Sequence, residues 1–214
     1  MARVPSPEAV AAALVQAHAE PTAGLPDGRR LVDHAESSRT GDWSLRSALV
    51  RFAQPEPTRA GAVLELIRRT DGALKPHRRR LEAAAAPTHP GLAPDLFEDD
   101  DGALVVRADA ERSLDAPASD LARAAVRLPD GDAVVAAYVD AAGEDPTFDT
   151  IPLLVVALEL DAIADALVAW ACVHDGPPPV DVVDERAAAA FRRLADLDVP
   201  RETGGRPRTA RGRS

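Results

Sequence analysis

An imidazole at His89, and the carboxylates that follow it at Asp95, Asp109, Glu111 and Asp120, are the residues whose types and spacing could do chemistry. His89 lies between Thr88 and Pro90 in a proline-rich loop, where an imidazole either braces the loop or exchanges protons near neutral pH. Asp99, Asp100 and Asp101 put carboxylates side by side. They lack the alternating ligand positions and later Glu of a calcium-binding loop, so a solvated turn is expected. Asp161 and Asp165 are spaced i, i+4 and share one face of a helix, either as a catalytic or metal dyad or as a solvent edge. Arg78, Arg79 and Arg80, beside His77, offer an anion site or a solvated face. Cys172 is the only cysteine, which excludes an internal disulfide; in an apolar helix it is expected to be a buried, inert thiol.

The elements around these residues can be placed from local signals. Asp101-Gly102 is a turn pair between Leu96-Phe97 and Ala103–Val106, which predicts a β-hairpin over residues 96–106. Asp109 follows its second strand. Asp115 or Ser119 is positioned to cap a helix over about Ala118–Leu128, with Asp120 in its first turn, where a negative charge suits the helix dipole.

A histidine loop, a hairpin closed at Asp-Gly, an aspartate after its second strand and a Pro-Ala-Ser-Asp-Leu-Ala helix start together resemble the carboxyl-terminal lobe of the aminoglycoside phosphotransferase family, which includes choline- and maltokinase-like enzymes. The resemblance runs from His89 to about His174. The family's loop has the form His-x-Asp-x-x-x-x-Asn, and a metal-binding Asp ends the strand. Matched without a gap, His89 takes the histidine place, Gly91 that of the catalytic-base Asp, Leu96 that of the Asn, Asp109 that of the metal Asp and Asp120 that of the helix-start Asp. Phosphoryl transfer in the kinase template requires that base to orient the hydroxyl and that Asn and Asp to hold magnesium. Glycine offers no carboxylate and leucine no ligand. The chain contains no asparagine, and its only lysine is Lys75.

What the resemblance then implies is a degenerate, non-catalytic kinase-like domain without a normal nucleotide-binding amino-terminal lobe. It would bind a protein partner, a second copy of itself or a small ligand, and need no cofactor. Asp109 is the one metal candidate, with Glu111 as a second carboxylate. An alternative is an active phosphotransferase acting on a small hydroxyl compound with ATP and magnesium, using Asp95 or Asp109 in altered roles. A third is a helical interaction protein unrelated to kinases.

Composition bounds these readings. The chain has 214 residues, with 35 acidic against 25 basic side chains and a formal charge of -10, so its body should repel nucleic acid and anionic membranes. No apolar stretch is long enough to span a bilayer, because Glu159, Asp161 and Asp165 interrupt the best candidate; a cytoplasmic location is expected. Hydrophobic residues make up 46% but aromatics only 3%, which predicts a core of small and branched aliphatic side chains in closely packed helices.

The expected fold is mainly α with a small hairpin, organised as a helical region over 1–88, a kinase-like lobe over 89–199 and a disordered basic tail over 200–214 with five arginines and one acid. Ser6, Pro7 and Glu8 should start a helix running to about Glu20, with Val10, Leu14 and Ala17 inward. Ala17-His18-Ala19 mimics a processing site but lacks a basic leader. A second helix is expected to follow Asp42, with Trp43, Leu45, Leu49 and Phe52 on one face. A third follows Thr58 and ends at Asp71-Gly72. Further helices are expected over Pro76–Ala86, from Asp130 to Gly143 with Val134, Val135, Tyr138 and Val139 inward, from Asp149 or Thr150 to His174, and over Asp184–Leu197.

Overall fold

Local chemistry sets the first helix. Ser6 Oγ accepts from Ala9 N at 3.3 Å, Pro7 stands in the first turn, and α1 runs Pro7–His18 with Val10, Leu14 and Ala17 buried. The computed structural model describes residues 5–26, 39–40, 43–143, 145–173 and 176–197. Residues 29–38, Asp42 as a cap, the helix end at His174 and the tail from 200 onward lie outside the described residues.

A minimal antiparallel pair, β1 (Arg39–Thr40) with β2 (Trp43–Ser44), leads into α2 (Leu45–Phe52). Ser44 caps α2 in a reciprocal box with Ser47, Leu45, Leu49 and Phe52 are buried as their spacing predicts, and Trp43, expected on the same helical face, stands in β2 instead. Helix α3 runs Pro57–Leu74, with Pro57 in its first turn and Glu56, not Thr58, at the N-cap. It passes through Asp71-Gly72 instead of ending there. The short α4 (Arg78–Ala83) gives way to β3 (Ala86–Thr88), where the sequence predicts helix as far as Ala86.

The hairpin forms as its sequence predicts. β4 (Phe97–Asp100) pairs antiparallel with β5 (Ala103–Val106), Asp100 opposite Ala103. Asp101 and Gly102 both have positive φ, 51° and 87°, the conformation that a two-residue primed turn requires and that Asp-Gly tolerates best. The tip is exposed, and Asp99 Oδ1 accepts from Gly102 N at 2.9 Å.

β6 (Ser113–Asp115) returns to pair with β3, Thr88 opposite Ser113 and Ala86 opposite Asp115. It feeds α5 (Pro117–Arg127), whose N-cap is Ala116 with no side-chain cap. Asp115 and Ser119 therefore do not cap: proline in the first turn starts the helix, and Asp115 accepts from the adjacent Ala116 N at 2.8 Å. Helix α6 (Gly131–Ala142) follows a left-handed Asp130, φ 53°. Gly131 is required by close approach, because a Cβ there would lie 2.3 Å from the Ala124 carbonyl oxygen. Helix α7 (Ile151–Cys172) is apolar nearly all round, and α8 (Val180–Asp196) closes the described chain. Cys172, at the end of α7, is half-buried rather than buried.

Two apolar cores share α7. One gathers Val10, Ala11 and Leu14 of α1, Leu121, Ala122 and Ala124 of α5, Val134 and Tyr138 of α6, and Leu154, Val155 and Leu158 of α7. The other gathers α2, α3 and α8 around Val156, Leu160, Ile163, Leu167 and Ala171. Alanines at 48, 118, 122, 124, 157, 164, 171 and 190 are among the fully buried residues, which lets helix axes approach closely and fits the alanine-rich composition. The sequence boundary between Thr88 and His89 is spanned by both cores and by the β3–β6 pairing. No helix among the described residues is long and apolar enough to cross a membrane.

Candidate functional site

Asp120 is fully buried, and a buried carboxylate persists as an anion only when hydrogen-bond donors replace water. The fold brings those donors from separate segments. β3 ends at Thr88, so His89 begins the loop beside the amino-terminal end of α5, and its backbone N donates to Asp120 Oδ1 and Oδ2 at 3.1 and 2.9 Å. The His89 ring turns the same way, with Nδ1 3.1 Å from Oδ2. From the last turn of α1, His18 places Nε2 3.1 Å from the same oxygen. Arg123, one turn along α5, donates from Nη1 to Oδ1 at 2.8 Å, and its Nη2 is 4.0 Å from Asp115 Oδ2.

Proton positions follow from the partners. A carboxylate only accepts, so in the neutral rings His18 donates from Nε2 and His89 from Nδ1. His18 Nδ1 is then left to accept from the Tyr138 hydroxyl, 2.7 Å away on α6. The hydroxyl is in turn fixed by ring packing, Tyr138 meeting His18 and Phe148 edge-on at centroid distances of 5.5 and 5.8 Å. Among the described residues His89 Nε2 has no partner although it is buried.

Burial alone would push the Asp120 carboxyl up. Hydrogen bonds from His18 and His89, then the positive charge of Arg123, outweigh it and hold the group well below the usual carboxylate range. The Tyr138 hydroxyl is pushed up to about 12, first by burial and then by the negative charges of Asp120 and Asp145. The cluster thus holds one anion, one cation and two imidazoles in a dry setting, poised to brace the chain or to hold a cation.

The remaining loop residues are fixed differently. Leu92 N donates to His89 O at 2.9 Å, Arg127 Nη1 donates to Pro90 O at 3.0 Å, and Leu92 enters the core. Gly91 is exposed at the turn between them, with open space where a side chain would project. Leu96 closes a single 3-10 turn, Pro94–Leu96, and packs half-buried on the first core.

Asp109 lies apart from Asp120, exposed, in a two-bond ion pair with Arg107 at 3.0 and 2.6 Å that lowers its pKa. It lines a shallow, mostly polar surface hollow of about 490 Å³ together with Asp95, Phe97, Glu98, Arg107 and Ala108. Glu111 is exposed. Asp161 is half-buried and Asp165 exposed, and both act at a distance on Arg127, whose pKa burial nevertheless lowers. Of the arginine run, Arg80 pairs with Asp149 at 2.6 Å and touches His77 Nδ1 at 2.7 Å.

Of the carboxylates singled out in the sequence, the cluster takes only Asp120, and it adds His18, Arg123 and Tyr138. His18 carried one usable signal: it follows Leu14 by four residues, on the inward stripe of α1, where a polar side chain must find a buried partner. Tyr138 stands on the predicted apolar side of its helix, and a buried hydroxyl poses the same demand. No family model matches the chain, and no curated protein or solved structure matches it.

Proposed function

We propose that this chain is a kinase-like carboxyl-terminal lobe that has lost phosphoryl transfer and acts by binding a protein or a small ligand. The observation that carries the reading is the pairing of His89 with Asp120. These are two of the places at which the resemblance matches by residue identity, one on either side of the hairpin, and they are joined through the buried backbone contacts at 3.1 and 2.9 Å. The hairpin between them also favours this reading over an unrelated helical protein. Loss of catalysis rests on residue chemistry. The base place holds Gly91, open to solvent, and the magnesium co-ligand place holds Leu96, engaged in the core.

One observation favours the active alternative: Asp95 and Asp109 line the same hollow. A metal there would have to displace Arg107 from Asp109. Thermal unfolding with millimolar ATP and magnesium separates the readings, since a ligand raises the melting temperature only of the state it binds. No rise, and no phosphate transfer to sugars or amino-alcohols, is expected. A magnesium-dependent rise abolished by Asp109→Ala would overturn the proposal.

A further inference from the structure

We infer that His18, His89 and Asp120 form a binding site for one divalent transition cation, with zinc(II) the best match. The inference is independent of the kinase-like reading. One ring nitrogen from each histidine and one Asp120 oxygen lie within 4.8 Å of one another. Asp120 Oδ2 is 3.1 Å from both His18 Nε2 and His89 Nδ1. Zinc holds imidazole nitrogen and carboxylate oxygen at about 2.0–2.2 Å, which separates adjacent tetrahedral donors by roughly 3.3–3.6 Å. The two histidine–Asp120 sides would lengthen by a few tenths of an ångström to admit the ion, while the histidine–histidine side, within 4.8 Å, would settle to the same spacing.

Donor chemistry selects the class of cation. Two imidazoles and one carboxylate suit zinc and its neighbours in the first transition row, whereas magnesium and calcium prefer sites made wholly of oxygen. The donors come from α1, the His89 loop and α5, which the first core fixes independently of any ion. Their outer contacts are those of metal ligands: Tyr138 on the second nitrogen of His18, Arg123 on the second oxygen of Asp120, and His89 N across both Asp120 oxygens. Asp120 supplies the negative charge that would face the cation, with Arg123 held on its other oxygen.

Proton balance is maintained. Metal at His18 Nε2 moves that ring's proton to Nδ1, which then donates to the Tyr138 oxygen. Metal at His89 Nδ1 moves its proton to Nε2, the buried nitrogen that hydrogen bonding within the described residues leaves unused.

Burial of both imidazoles and the carboxylate means that loading is tested most directly during folding. The full chain, stripped with a chelator in denaturant, is refolded with and without zinc chloride, desalted, and its metal content measured. About one zinc per chain and a raised melting temperature are expected. His18→Ala and His89→Ala should lose the metal, while His77→Ala keeps it. Tyr138→Phe, which leaves every ligand in place, should weaken affinity by about 10–100-fold. If the alanine variants do not refold, ring nitrogen resonances of the wild-type chain decide: shifts on zinc loading at His18 Nε2 and His89 Nδ1 support the site. No retained zinc in the refolded wild-type chain, equal retention in a folded His18→Ala chain, or shifts only at other histidines would overturn it.

Discussion

Replacing Asp120 by alanine removes an acceptor on which four donors converge. His18 Nε2, His89 Nδ1, His89 N and Arg123 Nη1 all point at its two oxygens between 2.8 and 3.1 Å. After the change the Arg123 guanidinium, with a side chain only 4% exposed, keeps Asp115 at 4.0 Å as its remaining anionic partner in this cluster. Breaking a buried charged pair by deleting one member costs about 3–5 kcal/mol, because the other charge stays buried. That is a large part of the roughly 5–15 kcal/mol by which a domain is folded. Asp120→Asn should cost less, since both imidazoles can move their protons and accept from the new amide nitrogen, leaving the lost charge opposite Arg123 and the His89 N–H facing that nitrogen as the penalties. Urea unfolding of chelator-treated protein, followed by circular dichroism, measures both. The folded carboxyl titrates below its unfolded value of about 3.9. Its contribution is therefore complete above that pH and disappears as pH falls through the folded value, so the gap between wild type and Asp120→Asn should close in acid. An alanine penalty below about 1 kcal/mol, the range of an exposed ion pair, would refute the buried-brace interpretation.

Tyr138 is the only tyrosine, so phenolate absorbance reports it alone. Its midpoint should lie near 12 in the folded chain, and a midpoint near the ordinary value of about 10 with native circular dichroism retained would contradict its burial beside Asp120. Because the folded value is raised, the stability it contributes is complete below about 10 and is lost as pH rises through the folded value. Gly131→Ala should destabilise by about 1–3 kcal/mol, since the new methyl carbon meets backbone at 2.3 Å; a neutral result in urea unfolding would show that α5 and α6 can separate without cost. Arg107→Ala should leave the urea unfolding midpoint essentially unchanged, because its pair with Asp109 is exposed, while opening the Asp109 carboxylate to any added magnesium.

Features carried by neighbouring residues were legible in the sequence. The hairpin followed from Asp101-Gly102, α1 from Ser6-Pro7 and its inward stripe, and α7 from a run apolar on every side. Where tertiary packing overrode a local signal, the sequence misled. Gly72 costs a helix interior about 1 kcal/mol relative to alanine, yet α3 continues past it because Leu74 beyond is buried in the first core and Leu66 and Thr70 before it are buried as well. Capping at Asp115 or Ser119 failed for a related reason: the adjoining β6 strand fixes the entry to α5, and proline in the first turn needs no side-chain cap. The site was least legible. Local signals assign Asp120 to the helix dipole, but its two histidine partners stand 31 and 102 residues away in the chain. Long-range pairing of that kind leaves no periodic trace, and only the question of what satisfies a polar residue on an apolar stripe leads to His18.

The division of the chain at His89 takes on a different meaning once the cluster is considered. A kinase-like lobe beginning there would leave Asp120 without His18, and the first core without Val10, Ala11 and Leu14. The second core would lose α2 and α3, which supply Phe52, Val63 and Leu66. Residues before His89 are therefore part of what makes the later segment fold, and not an appendage beside it. The same dependence bears on binding. Under the proposed binding role, a partner would have to engage the surface as folded, because freeing α1 to remodel that surface would uncover Asp120 and strand Arg123. Rigid docking is what the proposed binding role then requires, and affinity for such a partner should fall with loss of Asp120 although that residue is wholly buried.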